Sequence, residues 1–230
     1  MERDQPTSTH ALIQWGHCSI LYNVNRVQTV SREWFEPRFW ALRGLIRRHF
    51  EGRGQALAVE TPVGPVVLRC FQRGGWIARL VADRYLYLGQ ARSRAFREFV
   101  LLQALFKQGL PVPEPLLALC ERSGLTYRAA LITHEIAGAQ TLADLAAELQ
   151  REDWAELRAS LDSFFAAGVR HPDLNAKNIL RDRSGRWYLI DFDRARQGTS
   201  PADPRPMLRR LKRSLCSLGL PADASALGAE

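Results

Sequence analysis

The chain has 230 residues, a length that allows one domain or two. Hydrophobic residues make up 46% and charged residues 24%, which is typical of globular proteins and argues against a disordered chain. The net charge of +8 and the isoelectric point near 9.8 indicate an anionic partner, whether nucleic acid, a phosphate-rich small molecule or an acidic membrane surface. The four cysteines show no CxxC or Cys/His ligand spacing, which argues against a zinc site or a disulfide framework and favours free thiols in a reducing compartment.

Targeting signals are not evident in the sequence. The first thirty residues contain no basic segment followed by an apolar run, so we expect no signal peptide. No apolar run approaches the roughly 18 to 20 residues that a membrane-spanning helix needs. We therefore expect a cytoplasmic protein without a transmembrane helix, which is still able to work at a membrane face.

The N-terminal part of the chain has the pattern of a sheet. Residues 1–30 form an N-terminal extension whose short apolar runs can pair as strands. Residues 47–71 predict three strands, with Gly52 and Gly54 between the first two and a turn at 61–64 before the third. Glycine lets backbone N–H groups approach a phosphate closely, so the Gly52–Gly54 turn is either a phosphate-binding loop or a plain hairpin.

Two charged residues of the same region form a candidate pair. Arg69 lies in the third strand, and its guanidinium can bind a phosphate or a carboxylate in bidentate fashion. Glu98 lies in a predicted helix that Ser93 caps and Gly109 follows. Glu98 pairs either with Arg69 or with Arg94 one turn earlier. The alternative for Arg69 is a solvent-facing position at a sheet edge.

After a hairpin at 116–136, the C-terminal part of the chain changes to a helical period. A final helix from Arg205 has leucines on one face and basic residues elsewhere, so it either packs on the core or lies on an anionic membrane, of which we favour the core. The apolar positions that mark the two preceding helices are Leu142, Leu145, Ala146 and Leu149, and then Trp154, Leu157, Leu161, Phe164 and Phe165.

The segment from His171 to Asp193 carries the chemistry. Asn178 follows Asp173 by five residues, which is the spacing of the protein-kinase catalytic loop, and Asp191 comes 13 residues after Asn178. The interval fits a short hairpin that turns at 182–185 and brings Asn178 and Asp191 close together. A lone Asp or Asn near a turn is usually a cap, but the joint pattern predicts a phosphoryl-transfer site with Asp173 as the base and the other two as magnesium ligands.

By analogy with protein kinases, the earlier candidates belong to a nucleotide site. There a strand lysine pairs with a helix glutamate and with the phosphates of ATP, and Arg69 and Glu98 occupy those two positions. The backbone of residues 133–136, which link the two halves, is placed to contact an adenine edge. We therefore expect an α+β, bilobal protein-kinase-like fold, with an antiparallel-sheet N-lobe at 31–138 and a mainly helical C-lobe at 139–230.

Taken together, these residues resemble the bacterial 3-deoxy-D-manno-octulosonic acid (Kdo) kinases of lipopolysaccharide inner-core synthesis. The resemblance covers roughly residues 34–218, and the Arg-Gly-Gly and Gly-Leu-Pro-Val-Pro segments make it more specific than the catalytic loop alone. The stretches that carry it are Val67-Leu68-Arg69, Arg73-Gly74-Gly75, Asp83-Arg84-Tyr85, Ser93 to Phe99, Gly109 to Pro113, His171 to Leu180 and Leu189 to Arg194.

The resemblance implies a function. It implies ATP- and Mg²⁺-dependent phosphorylation of the Kdo 4-hydroxyl on a lipid A precursor, an anionic glycolipid, by a peripheral protein at the cytoplasmic face of the inner membrane. Asp173 matches the catalytic aspartate. The sequence departs from protein kinases in three ways: Asn175 replaces the loop lysine, Asp193 replaces the glycine of Asp-Phe-Gly, and no Ala-Pro-Glu follows. Two questions are open: whether Lys177 substitutes for the missing lysine, and whether Asp193 adds a metal ligand.

Two other functions are open from the sequence. The chain is a kinase for another sugar or small-molecule hydroxyl, such as a heptose or an aminoglycoside-like acceptor, or it is an inactive basic module that binds glycolipids. The presence of Asp173, Asn178 and Asp191 together argues against the inactive module. We expect no specific nucleic-acid partner. Oligonucleotides would bind the basic surface through their phosphates, and such binding is sensitive to salt and independent of sequence.

Overall fold

A computed structural model describes residues 9–50, 56–71 and 85–220. The described residues of Met1–Val100 and Glu114–Glu135 form one compact unit, and those of Leu101–Pro113 and Ile136–Glu230 form a second. The first unit is built on an antiparallel sheet, and the second contains helices with short strands. The predicted α+β class is confirmed.

The sheet of the first unit has eight strands in the described part of the chain. The strands are β1 (His10–Trp15), β2 (Cys18–Asn23), β3 (Ile46–Phe50), β4 (Ala56–Thr61), β5 (Gly64–Cys70), β6 (Tyr85–Leu86), β7 (Pro115–Ser123) and β8 (Thr126–His134). The order of the sheet is β1-β2-β7-β8-β5-β4-β3, all neighbours are antiparallel, and β6 pairs with β8. The apolar runs of the N-terminal extension thus include β1 and β2, which pair as expected, and β2 lies inside the sheet beside β7.

Strand β5 shows how the sheet positions Arg69. Val66 and Leu68 are buried in the core, and because side chains alternate along a strand, Arg69 lies on the other face. The turn into β5 uses Gly64 with φ of +94°, a conformation that favours glycine. The predicted order of strand, turn at 61–64 and strand is confirmed.

Two helices belong wholly or partly to the first unit. The short α1 (Pro37–Ala41) brings Trp40 into the core, where its indole N–H donates to the Trp34 carbonyl at 2.8 Å. Helix α2 (Arg94–Lys107) begins at the predicted cap, since Ser93 Oγ accepts from the Phe96 N–H at 3.4 Å. The cap fixes where α2 starts, and Glu98 falls in its second turn.

Besides the C-terminal half of α2, the second unit contains three α-helices and two small sheets in its described residues. The elements are β9 (Gln140–Thr141), α3 (Leu142–Leu145), α4 (Arg151–Ala166), β10 (Val169–Arg170), β11 (Ile179–Arg181), β12 (Trp187–Leu189), β13 (Arg196–Gln197) and α5 (Arg205–Ser217). The sheets have the orders β12-β11-β9 and β10-β13, all antiparallel. Buried Leu157, Leu161 and Phe164 of α4 contribute to the core.

The first helix of this unit is shorter than its apolar period predicted. The pattern through Leu149 predicted one longer helix, but α3 ends at Leu145. Gln150 is extended, with ψ of 169°, and its backbone N–H donates to the Asp153 carboxylate at 2.9 Å. This capping box starts α4, and an extended Gln150 cannot continue α3.

Helix α5 packs against its own unit rather than presenting an apolar face to solvent. Leu208, Leu211 and Leu215 are at most 1% exposed, whereas Leu218, beyond the helix, is 42% exposed. Of the two interpretations of this helix, packing on the core is confirmed. Among the described residues, no helix has the length and hydropathy needed to span a membrane.

Candidate active site

The hairpin predicted between the two presumed metal ligands is confirmed. Strands β11 and β12 pair antiparallel, with Ile179 opposite Leu189. In the turn, Asp182 Oδ1 accepts from the backbone N–H groups of Ser184 and Arg186 at 2.9 and 3.0 Å. Beyond the strands, the Ile190 N–H donates to the Asn178 carbonyl at 3.0 Å. The hairpin therefore brings the backbone of Asn178 next to the residue that precedes Asp191.

The loop before β11 folds around the backbone of Asp173. The Asp173 carbonyl accepts from Asn175 Nδ2 at 2.9 Å and from Asn178 Nδ2 at 3.0 Å. Both asparagine side chains thereby hold the loop closed. In Asn178 this bond uses the NH₂ end of the amide, so its Oδ1 is the end that a cation would meet.

The residue that opens the loop is buried and connects it to the Asp191 segment. His171 is 2% exposed, its Nε2 donates to the Ile190 carbonyl at 3.1 Å, and its ring lies edge-on to Phe192 with centroids 5.1 Å apart. Burial lowers the pKa of His171, because the charged imidazolium loses hydration there. His171 is therefore neutral near pH 7, and its role is to fix the loop rather than to carry charge.

Asp191 has an unusual backbone. Its φ of 64° makes it the non-glycine residue in the left-handed region within the described ranges. That conformation costs an L-residue about 1 to 2 kcal/mol, although Asp tolerates it better than most. Such a conformation persists where the surroundings demand it, and it is found preferentially at functional sites. The strained position coincides with a predicted metal ligand.

The carboxylate of Asp173 is in contact with an arginine from the last helix. Arg210 Nη2 donates to Asp173 Oδ1 at 2.8 Å, and the two side chains are 36% and 48% exposed. Asp173 is therefore held at one oxygen and still open to solvent. Arg210 was not predicted as a site residue, since the sequence shows it only as one of several basic residues on α5.

Two further contacts attach α5 to the loop. The His171 N–H donates to Met207 Sδ at 3.1 Å, and the Ala176 N–H donates to Ser214 Oγ at 3.2 Å. Met207, Arg210 and Ser214 are spaced by three and four residues, which places them on one face of the helix. The sequence shows this helical spacing, but the spacing does not indicate that this face of the helix contacts the loop.

The structure assigns a local role to Asn175 and an exposed position to Lys177. Asn175 Oδ1 accepts from the Lys177 N–H at 2.9 Å and caps the short 3₁₀ turn at 176–178. Because Nδ2 is bonded to the Asp173 carbonyl, both ends of the Asn175 amide are used within the loop. The Lys177 side chain is exposed. In this loop, therefore, the cation in contact with the Asp173 carboxylate is Arg210.

In the first unit, the predicted pairing of Arg69 with Glu98 is confirmed. Arg69 Nη2 donates to Glu98 Oε2, with Arg69 23% and Glu98 2% exposed. The Arg69 guanidinium also lies over the Phe71 ring, 4.5 Å from its centroid. Arg94 Nη1 donates to Tyr85 Oη at 2.8 Å. The role of Arg69 and Glu98 in nucleotide binding stays a prediction.

The remaining nucleotide candidates divide between two segments. Gly52 and Gly54 lie outside the described residues. In the link at 133–136, the His134 N–H donates to the Glu114 carbonyl at 2.9 Å and the Glu135 N–H to the Pro65 carbonyl at 3.0 Å. These two donors are used within the sheet, so an adenine contact there would have to use other backbone groups.

The residues present fit a magnesium ion. No cluster of three or more His, Cys, Asp or Glu side chains suited to a metal occurs within 9–50, 56–71 or 85–220. Magnesium in kinases does not need one, because one or two protein oxygen ligands are completed by water and nucleotide phosphates. Asn178 Oδ1 and the Asp191 carboxylate are oxygens of this type, and their binding of magnesium stays a prediction. None of the four cysteines, all of which lie in the described residues, forms a disulfide, and Cys18 and Cys120 are buried.

This chain is similar to known proteins over most of its length. A protein of Stenotrophomonas maltophilia named 3-deoxy-D-manno-octulosonic acid kinase is 41% identical over 206 residues, which cover 88% of this chain and 82% of the relative. Proteins of the same name from Xanthomonas oryzae pv. oryzae and Xanthomonas campestris pv. campestris are 41% identical over 207 residues and 42% identical over 181. These alignments cover 88% and 78% of this chain and 82% and 72% of the respective relatives.

The family model agrees with these relatives. The model described as "Lipopolysaccharide kinase (Kdo/WaaP) family" matches residues 37–227, a range that includes Arg69, Glu98 and the whole loop from His171 to Asp191. This chain therefore belongs to the lipopolysaccharide kinase (Kdo/WaaP) family and is a phosphotransferase.

Proposed function

We propose that this protein transfers the γ-phosphoryl group of ATP to the 4-hydroxyl of Kdo on a lipid A precursor, during assembly of the lipopolysaccharide inner core. The observation that carries the proposal is the loop of the second unit, where a half-exposed Asp173 shares a hydrogen-bonded framework with Asn178 and the Asp191 segment. The choice of Kdo as acceptor is supported by the names of the relatives.

In the proposed reaction, Asp173 orients the acceptor hydroxyl and accepts its proton. Phosphoryl transfer passes through a loose transition state, so positioning matters more than the strength of the base. Because one Asp173 oxygen is bonded to Arg210, the other is available to the hydroxyl. A carboxylate that is 48% exposed can be reached by a substrate without unfolding of the loop.

Asn178 and Asp191 hold the magnesium ion in this proposal. When bound, the ion neutralises charge on the nucleotide phosphates. The bond from Asn178 Nδ2 to the Asp173 carbonyl fixes the amide so that its oxygen is presented, and the left-handed backbone of Asp191 sets the direction of that carboxylate. The Asn178 amide would therefore be oriented before a magnesium ion binds.

Arg69 and Glu98 orient the nucleotide phosphates in the first unit. Glu98 is nearly fully buried and holds the Arg69 guanidinium through Nη2, while Arg69 remains partly exposed. A guanidinium has five N–H groups and can bind a phosphate as well as a carboxylate. Gly52 and Gly54 are proposed to approach the same phosphates through their backbone.

The acceptor is proposed to be a phosphorylated, carboxylated glycolipid at the cytoplasmic face of the inner membrane. The net charge of +8 supports attraction to such an anionic molecule and to an anionic lipid surface. The leucines of α5 are buried, so peripheral contact would use other surfaces.

The direct test is a transfer assay with purified protein, ATP, Mg²⁺ and Kdo-lipid IVA. We expect one added phosphate by mass spectrometry, located on the 4-hydroxyl of Kdo by fragmentation. Asp173→Asn is the matched control, since it keeps the shape of the side chain and removes the proton acceptor. Transfer to a heptose or an aminoglycoside but not to Kdo would contradict the acceptor, and tight glycolipid binding without any turnover would instead indicate an inactive binding module.

A further inference from the structure

We propose that Arg210 is a positioning residue for the transfer reaction, which supplies at Asp173 the cation that protein kinases carry inside the catalytic loop. The inference rests on the proposed role of Asp173 as the residue that orients the acceptor. Its basis is the 2.8 Å bond from Arg210 Nη2 to Asp173 Oδ1.

The loop itself supplies no cation to this carboxylate. The lysine position of the protein-kinase loop holds Asn175, whose amide is bonded at both ends to the backbone of the loop. Lys177 is the basic residue of the loop, and its side chain is exposed. The positive charge at Asp173 thus comes from α5, 37 residues further along the chain.

The position of Arg210 is fixed by its neighbours on the helix. One turn before it, Met207 Sδ accepts from the His171 N–H, and one turn after it, Ser214 Oγ accepts from the Ala176 N–H. These bonds attach the helix to the loop on both sides of Asp173. Arg210 therefore reaches the carboxylate from a docked helix and not from a mobile surface segment.

The consequence for the reaction is orientation of a carboxylate that would otherwise rotate. With Oδ1 held by the guanidinium, the rotamer of Asp173 is restricted and the second oxygen faces the acceptor. A group misplaced by about 1 Å can cost roughly 100-fold in rate, so a loss of this bond should appear in kcat. Binding of ATP does not depend on it, because Arg210 is assigned no contact with the nucleotide.

The experiment compares Arg210→Gln, Arg210→Lys and the control Arg205→Gln in the full chain. Arg205 lies on the same helix and pairs with Asp203 at 3.0 Å, so its replacement also removes one charge and one arginine–aspartate pair. We expect Arg210→Gln to lower kcat by about 10- to 100-fold with the KM for ATP within about twofold. Lysine should restore part of kcat, and the control should stay within about twofold of the wild type.

A second comparison asks whether Arg210 acts through Asp173. If it does, adding Arg210→Gln to Asp173→Asn should lower kcat no further, because the carboxylate that Arg210 positions is already absent. A further fall in the double variant, an unchanged kcat in Arg210→Gln, or a rise in the KM for ATP with kcat unchanged would each overturn the inference.

ATP hydrolysis without an acceptor, run in parallel, separates this inference from the proposed function. A wild type that hydrolyses ATP in an Asp173-dependent manner but does not phosphorylate Kdo-lipid IVA contradicts the acceptor alone, and the Arg210 comparison is then read from hydrolysis. A wild type without either activity overturns both proposals. Circular dichroism spectra of all variants show whether the fold is intact, and a variant that loses activity with its fold contradicts a positioning role.

Discussion

Two arginine–carboxylate pairs, one in each unit, differ in their exposure to water. In the Arg69–Glu98 pair the carboxylate is 2% exposed, and in the Arg210–Asp173 pair it is 48% exposed. A buried carboxylate depends on its partner, since loss of the cation leaves a charge in a medium that solvates it poorly. A half-exposed pair is screened by water and contributes little to stability. The first pair is thus built to stay closed, and the second is accessible to a substrate.

The largest expected effect comes from removing the exposed carboxylate. We expect Asp173→Asn to lower kcat by about 100- to 10,000-fold, which is the range for loss of a general base. The midpoint of thermal unfolding should change little, because the pair is exposed. Steady-state kinetics and thermal denaturation check both parts. A variant with near wild-type kcat would show that Asp173 does not act in catalysis.

Replacing the cation of the buried pair tests how much that pair contributes to the stability of the protein. Arg69→Met keeps the aliphatic stem but deprives Glu98 of its guanidinium partner, and we expect a loss on the order of 3 kcal/mol in the free energy of unfolding, measured with urea. Arg158→Met is the matched control, since Arg158 is 26% exposed, close to the 23% of Arg69, but its partner Asp162, at 2.9 Å, is 49% exposed. The control should cost no more than about 1 kcal/mol. Equal losses in both variants would remove the contrast between buried and exposed pairs.

His171 introduces a pH dependence into the region of the exposed pair. Burial lowers the pKa of His171 below the unfolded value of about 6.5. As the pH falls, His171 therefore binds a proton in the unfolded chain before it does so in the folded protein. The contribution of the neutral histidine to stability is complete above about pH 6.5 and is lost below it. The free energy of unfolding should therefore be lower at pH 5.5 than at pH 7.5 through His171.

His171→Gln should remove that part of the pH dependence, because glutamine can still donate to the Ile190 carbonyl but does not titrate. Urea denaturation at the two pH values measures the difference. His17→Gln, which changes an exposed histidine, is the control. If the His171 variant keeps the full wild-type dependence, another group is responsible.

The smallest effect on stability is expected at Arg210. Because both partners are more than one third exposed, Arg210→Gln should lower the free energy of unfolding by no more than about 0.5 to 1 kcal/mol, in contrast to Arg69→Met. Urea denaturation of the two variants side by side measures the contrast. A loss at Arg210 as large as that at Arg69 would mean that the exposed pair is mainly structural.

Local patterns in the sequence were sufficient for the hairpin and for the buried pair. The turn residues at 182–185 and the 13-residue interval from Asn178 to Asp191 favour a tight antiparallel hairpin, and the structure contains this hairpin. The pairing of Arg69 with Glu98 followed from the kinase-like placement of a strand residue and a helix residue. In both cases the chemistry of the residues restricts the geometry.

Contacts between distant segments were not predictable in the same way. The docking of α5 uses a methionine sulfur and a serine hydroxyl, which have no preferred partner in a sequence pattern, so Arg210 was not identified as a neighbour of Asp173. The pairing of β2 with β7 joins segments about one hundred residues apart. The end of α3 was missed because glutamine at position 150 is a weak signal for a cap.

The attachment of α5 to the loop has a consequence during synthesis of the protein. His171 and Ala176 leave the ribosome before Met207 and Ser214, which follow them by 36 and 38 residues. Until α5 has been made and has folded back, the nascent chain holds Asp173, Asn178 and Asp191 without the helix that supports their loop. A message truncated within α5 would thus encode every predicted catalytic residue and still yield a polypeptide whose catalytic loop lacks its support.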